Sequence, residues 1–265
     1  MPHSAFIDLP ALKAALGPYA SATAITLLDE TDSTNTVAKR EAFEAASPAL
    51  YIARTQTGGR GRLGRSFHSP ADTGLYMTVA YTTHKPLTEA VRVTAGAAVA
   101  AVAAIEALTD KRPAIKWVND LYLEDAKIAG ILTEAVTLPE GGARMVVGLG
   151  INLTTTQFPE GLRAPASCLF SSDEASAVTP ALLSSLAGAI TRNLLTLTEG
   201  GLWGQDCLDF YRRHLLYVGH PVRCARGNES FEAIALGVDE NYALLVEVNG
   251  ETRALSSGEI SVRAL

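Results

Sequence analysis

Between Thr55 and Pro70 the chain reads Thr-Gln-Thr-Gly-Gly-Arg-Gly-Arg-Leu-Gly-Arg-Ser-Phe-His-Ser-Pro. Arg60, Arg62 and Arg65 fall within six residues, interleaved with Gly58, Gly59, Gly61 and Gly64. Three guanidinium groups this close repel one another unless an anion sits among them. The glycines let the backbone approach a ligand, so amide N–H groups can join the arginine forks around phosphate or carboxylate. The segment is therefore a loop, and the rest of the chain must fold so as to hold it. Two plainer readings stay open for it: a solvated surface loop, and a Gly-Arg segment that binds nucleic acid. The net charge of −6 weakens the second, because nothing nearby extends the basic patch.

Around this loop the pattern alternates between the two periods of regular structure. Ile25 to Leu28 predicts a first strand, and Asp32-Ser33-Thr34-Asn35 supplies caps for a helix running through Val37, Ala38 and Phe43. Tyr51 to Thr55 and Leu75 to Tyr81 predict strands on either side of the loop. Thr88 to Leu108 is the longest helical stretch, with Val91, Ala95, Val99, Val102 and Ile105 spaced for one buried face. Its apolar part, Ala95 to Ile105, is about half a membrane span and predicts a buried helix.

Ile115 to Trp117, Leu121 to Leu123, Ile128 to Val136 and Met145 to Leu153 follow as strands, with a turn at Pro139 to Gly142. Pro180 to Thr198 and Trp203 to Leu215 predict two more helices. From Gly219 the texture changes to short strands broken at Gly227-Asn228, Asp239-Glu240-Asn241 and Asn249-Gly250. That is the pattern of a small all-β barrel of about 45 residues. The architecture expected is an α+β domain over residues 1–216 and a small β domain over residues 217–265.

A chain of 265 residues with 48% hydrophobic side chains can fill one large core. Cys168, Cys207 and Cys224 are distant from one another and odd in number, and they stand in no metal-ligand spacing. They suit a reduced, cytoplasmic protein. Met1 to Gly17 has neither the basic start nor the apolar run of a signal peptide.

The loop does not stand alone. Gly59 to Arg65 resembles the G-R-G-R-x-G-R signature of biotin–protein ligases, and Asp32 to Asn35 resembles that family's D-S-T-N helix start. Lys116-Trp117-Val118-Asn119-Asp120 resembles K-W-P-N-D, and Lys127 to Leu132 resembles K-[LI]-[AC]-G-I-L. Gly148 to Leu153 matches G-x-G-[IL]-N, and Gly258 to Arg263 resembles G-E-[IV]-S-[ILV]-R. The blocks come in the family's order from Asp32 to Arg263. The resemblance implies a class II synthetase-like catalytic domain, with a mixed or antiparallel sheet packed by helices, followed by an SH3-like β-barrel.

It also implies two chemical steps. The carboxylate of biotin attacks the α-phosphorus of ATP, giving biotinyl-5′-AMP and pyrophosphate; a lysine of a biotin carboxyl carrier domain then displaces AMP. Bringing a carboxylate to a triphosphate opposes two anions, so cations must lie between them. An opposite charge about 4 Å away contributes roughly 4 kcal/mol at an effective dielectric near 20. On an open surface such a pair is worth only about 0–1 kcal/mol, so the loop must close and exclude water.

By resemblance Lys127 bridges the two anions, and Lys127, Arg62 and Asp120 are the catalytic candidates. Taken without the resemblance, Lys127 reads better as an edge-strand lysine that blocks aggregation. Ser33, Thr34, Asn35, Gln56, Gly59, Arg60, Gly61, Arg62, Lys127, Gly130 and Ile131 are the candidates for biotin. Ser33 and Thr34 also read as helix caps. For ATP the candidates are Arg62, Arg65, Asn119, Asp120, Lys127, Asn152 and Arg263, with Asp120 toward Mg²⁺. Asn119 and Asp120 also read as a turn, and Arg263 as a surface strand residue.

Val118 departs from the family's proline, and Ser66-Phe67-His68 stands where a basic residue and Trp are common. Phe67 still offers an aromatic face. The segment before the first strand has room for one short helix and not for a DNA-binding module, so a repressor function is not expected. A lipoyl- or octanoyl-transferring enzyme and a biotin-sequestering module remain as other readings. The expected partners are biotin, ATP and the carrier domain, with neither nucleic acid nor membrane, in a monomer or homodimer.

Overall fold

The structure, a computed structural model, describes residues 6–85, 90–162, 164–201, 204–226, 229–256 and 260–264. Its larger part is a seven-stranded mixed sheet of β1 (Ala24–Thr31), β2 (Ala49–Gln56), β3 (Gly74–Thr83), β4 (Ala114–Lys116), β5 (Asp120–Leu123), β6 (Ala126–Thr137) and β7 (Ala143–Asn152), in the order β1-β2-β3-β7-β6-β5-β4. β1 and β2 are parallel; the other neighbours are antiparallel. β7 lies at the centre and is buried along its whole length.

Period two sorts the strands between two faces. Leu50, Ile52, Val147, Leu149 and Ile151 belong to the main core, under α1 (Leu9–Leu16), α3 (Ala90–Leu108) and α4 (Pro180–Thr196). Tyr51 and Val146 point the other way, against Val37 and Ala38 of α2 (Thr34–Arg40). On that second face Gly130 of β6 stands opposite Gly150 of β7, and Leu132 opposite Gly148. Two adjacent strands are thus bare of side chains at the same level, which leaves a floor there.

Three sequence expectations are corrected. α2 stops at Arg40, and Phe43 sits beyond it in a turn, 62% exposed, because Glu41 leaves helical geometry. α3 is buried on nearly all sides: besides Ala95, Val99, Val102 and Ile105, the alanines at 97, 98, 100, 101 and 104 are all covered. Their methyls are small enough for helix and sheet to close on both sides, which a one-face reading misses. Ser33 is the N-cap of α2 by backbone geometry, yet its side chain makes no capping bond. Val91 and Thr88 fall outside the described side chains and residues, respectively.

The helices after β7 run over Pro180–Thr196 and, as α5, over Gln205–Arg213; Trp203 lies outside the described residues. The small β domain holds β8 (Pro221–Arg226), β9 (Glu229–Val238), β10 (Leu244–Val248), β11 (Glu251–Leu255) and β12 (Ile260–Ala264). They form an antiparallel sheet in the order β11-β10-β9-β8-β12. The expected turn at Gly227-Asn228 and the motif residues Gly258 and Glu259 lie outside the described residues. At the junction of the two parts Trp117 Nε1 donates to the Tyr242 carbonyl at 2.8 Å, and Arg212 donates twice to the Val238 carbonyl.

Candidate active site

A cleft of about 560 Å³ opens over the glycine floor. Among the described residues its walls carry five cationic side chains, Arg60, Arg62, Arg65, Lys116 and Lys127, against a single carboxylate, Asp120. In a chain with net charge −6 this is a strongly local concentration of positive charge, and it suits anionic ligands. Of the sequence candidates, Ser33, Thr34, Asn35, Gln56, Gly61, Gly130, Ile131, Asn119 and Asn152 also line the cleft. Gly59 does not: it is buried beneath the loop, where a Cβ would lie 2.3 Å from the Phe67 carbonyl oxygen. The backbone of Arg263 pairs with Arg223, and its side chain lies outside the described ones.

At one end of the cleft the start of α2 meets β2 and β3. Gln56 Oε1 accepts from the Thr34 backbone N–H at 2.9 Å and from the Thr34 hydroxyl at 3.2 Å. A residue distant in sequence thus caps α2, and the Ser33 hydroxyl is left for other use. Thr78 Oγ1 lies 2.8 Å from Thr34 Oγ1 and 2.7 Å from Asn35 Oδ1, so the hydroxyls form a short buried chain. Asn35 donates to the Leu132 carbonyl and to Glu134 Oε2, which engages its amide in the wall.

Glu134 is a residue that sequence reading missed. Its carboxylate takes Lys39 Nζ at 2.6 Å and faces Arg60 Nη2 at 3.9 Å. Burial works to raise its carboxyl pKa, but the bonds from Lys39 and Asn35 and the charges of Lys39 and Arg60 outweigh this and hold it low. Nothing in its local sequence marks it, since its partners come from α2 and the loop.

At the other end Lys127 Nζ reaches Asp120 Oδ1 at 2.7 Å, with both side chains partly exposed to the cleft. Asn119 Nδ2 donates to Asp120 Oδ1 and to the Ile131 carbonyl, and Asn119 Oδ1 accepts from Arg62 Nη1 at 2.9 Å. Burial lowers the Arg62 pKa, Asp120 works against that, and Arg65 adds to it. Lys116, a motif residue given no role from sequence, donates to the Tyr122 hydroxyl at 3.0 Å on the same wall. The Trp117–Val118 peptide, where the family's proline is replaced, is cis.

Phe67 lies across the floor: a Cβ on Gly150 would come within 2.4 Å of its ring, so glycine there admits the aromatic face. His68 meets Phe158 edge to face, with ring centroids 6.4 Å apart, and so joins the loop to the segment after β7. Among the described residues no group of three or more His, Cys, Asp or Glu side chains is placed to hold a metal. A metal here would draw on Asp120 and on the buried Asn152 Oδ1, which meets no donor among the described residues. A hard cation that keeps waters and takes phosphate oxygens fits so sparse a set, as Mg²⁺ does.

The cleft thus gathers cations from a Gly-Arg loop and a strand end of a mixed-sheet domain, a setting for anionic ligands. The model of the biotin/lipoate A/B protein ligase family matches residues 27–152, and that of the biotin protein ligase C-terminal domain matches residues 217–263. The chain belongs to the biotin protein ligase family. The bifunctional ligase/repressor BirA of Escherichia coli (strain K12) is 27% identical over 240 residues, covering 91% of this chain and 74% of that protein. Biotin–[acetyl-CoA-carboxylase] ligase of Paracoccus denitrificans is 29% identical over 88% of this chain and 98% of its own. The solved biotin protein ligase from Aquifex aeolicus in complex with biotin and ATP shares the fold, with a TM-score of 0.73 at 24% identity, over 91% of this chain and 99% of that one.

Proposed function

We propose that the protein activates biotin with ATP to biotinyl-5′-AMP and transfers the biotinyl group to a lysine of a biotin carboxyl carrier domain. The observation that carries this reading is the cleft itself, with five cations to one carboxylate among the described residues over a glycine floor. In the first step an oxygen of the biotin carboxylate bonds to the α-phosphorus, and the bond to the bridging oxygen breaks, releasing pyrophosphate. In the second the acceptor amine attacks the acyl carbon, loses a proton and displaces AMP.

Lys127 is placed at the strand end to lie between carboxylate and α-phosphate. Before ligand arrives Asp120 holds its ammonium at 2.7 Å, so the cation is aimed rather than wandering. Arg62, steadied by Asn119, and Arg60 approach from the loop to hold biotin and its adenylate; Arg65 faces the phosphates of ATP. Guanidinium forks suit these oxygens in a way that lysine does not. The hydroxyls of Ser33 and Thr34 and the amide of Gln56 serve the ureido ring. Gly130 and Ile131 wall the bicycle, and Asn35 holds that wall in place. Gly59 and Gly61 give the loop its close backbone path.

Asn152 engages its Nδ2 with Ser167, so its remaining polar side-chain atom is a buried acceptor beside the cleft. It therefore suits Mg²⁺ or its waters better than a phosphate oxygen. Mg²⁺ held by Asp120, Asn152 and the phosphates would neutralise charge developing on pyrophosphate. Residues 217–265 form the smaller domain in this reading, and Val262 brings it to the cleft; Arg263 beside it is assigned to ATP. No helix among the described residues is long and apolar enough to cross a membrane, and three free cysteines suit a reducing cytoplasm. Incubation with ATP, Mg²⁺ and labelled biotin should release pyrophosphate in a biotin-dependent manner. Release with octanoate and none with biotin would overturn the assignment.

A further inference from the structure

Lys127 is the second residue of β6, paired with Tyr122 of β5 on one side but without a partner in β7 on the other, where β6–β7 pairing begins at Ala129. Support comes instead from a segment that returns after β7. The Lys127 N–H donates to the Pro165 carbonyl at 2.9 Å, and the Lys127 carbonyl accepts from Ser167 N–H at 2.9 Å, in a parallel bridge to Ala166. Both backbone groups of the lysine are thus held by three residues outside the sheet.

That segment is pinned in turn by one side chain. Asn152, at the end of β7 and 5% exposed, donates Nδ2 to the Ser167 carbonyl at 3.0 Å. Its own carbonyl accepts from Leu169 N–H at 2.9 Å, so main chain and side chain grip the segment on both sides of Cys168. A flipped amide would set two carbonyl oxygens against each other at Ser167, which fixes Nδ2 as the donor.

We propose that Asn152 is a positioning residue for Lys127, acting through the backbone of Pro165 to Ser167. This rests on the reading of Lys127 as the lysine between the two anions. An ammonium at the end of a four-carbon stem inherits any drift of its main chain, and about 1 Å of misplacement costs about 10²-fold in rate. Phe158, Ala164 and Ala166 of the same segment line the cleft, so a ligand seated against them tightens the clamp on the lysine.

Two variants separate this role from a ligand contact. Asn152→Asp removes the donor while keeping the side chain's shape and its Oδ1 acceptor. Ser167→Pro removes the N–H that holds Lys127, at a residue that does not line the cleft. Single-turnover adenylate formation, biotin affinity by calorimetry and hydrogen exchange of the Lys127 amide are measured on the full chain. Both variants should slow adenylate formation about 10- to 100-fold with biotin affinity within about threefold, and the Lys127 amide should exchange faster. Ser167→Ala keeps the N–H and should keep the amide protected. Slower chemistry with unchanged exchange in Asn152→Asp, or wild-type rates in both variants, overturns the proposal. If the unaltered protein forms no adenylate, the functional reading fails, whereas the exchange measurement still decides whether Asn152 clamps Lys127.

Discussion

The two banks of the cleft hold their cations in opposite ways. On the strand bank Lys127 is fixed through its backbone and meets Asp120 at 2.7 Å, and Lys116 meets Tyr122 at 3.0 Å. On the loop bank Arg60 is about half exposed and sees the carboxylate of Glu134 only at 3.9 Å. Arg62 is the exception, tied to Asn119 across the cleft. In the proposed reaction this difference suits the banks to separate tasks. Chemistry between two anions needs a cation already in position, whereas keeping water from a reactive anhydride needs a cover that can open to admit ligand and close over it.

If that division holds, damage on the strand bank should strike the chemical step hardest. Lys127→Ala should lower single-turnover adenylate formation by about 10²–10³-fold, the scale of losing one electrostatic stabiliser, while biotin affinity changes far less. Equal losses in both would erase the distinction. On the loop bank Arg62→Lys should fail to restore what Arg62→Ala loses, at about 10-fold or more in kcat/KM for ATP, because one ammonium cannot replace a fork.

Gly59→Ala tests the loop's seat. The added methyl would meet the Phe67 carbonyl oxygen at 2.3 Å, so residues 58–69 should become more sensitive to protease, and ligand should protect them less than in the parent protein. Glu134→Gln should cost about 1–2 kcal/mol in urea unfolding, the range for a lost charged hydrogen bond at a partly buried site. It should also raise the mobility of Arg60.

The smallest effect lies where the returning segment ends. Glu174 caps the turn from Ser171 and holds Lys111 at 2.6 Å; that lysine's bond, followed by those from Ser171, brings its carboxyl down to about 2 from an ordinary 4.5. A depressed carboxyl stabilises the fold above its unfolded value and loses that contribution on protonation. Stability from this pair should therefore be intact above about pH 4.5 and fade as pH falls toward about 2. Lys111→Met should flatten that part of the pH–stability curve, and an unchanged curve would remove Glu174 from the description.

Much of this was legible in residue order. The mixed strands and helices, the change of texture at Gly219, and the Gly-Arg loop all rest on local signals: periodicity, turn residues and charge spacing. Fourteen of the sequence candidates line one cleft, and all but Gln56 were found because each belongs to a short run that resembles a family motif. Glu134 and the capping of α2 by Gln56 were not legible. Their partners lie 95 residues away for Lys39 and 22 for Thr34, and no local pattern records such a meeting. The burial of α3 was legible in its apolar run, but the number of covered faces was not: alanine is compatible with one covered face or with several, and only the packing of neighbours chooses.

The amino-acid sequence by itself determined that a Gly-Arg loop concentrates three cations, which family it resembles and which side chains carry charge. Tertiary structure alone decided that Ser33 is left uncapped for the cleft, that Gly130 and Gly150 pair into a bare floor, and that Asn152 grips the segment behind Lys127. The physical reason is one of range. Propensity and charge spacing act over a few residues, whereas a hydrogen bond across a sheet depends on register that the whole core fixes together.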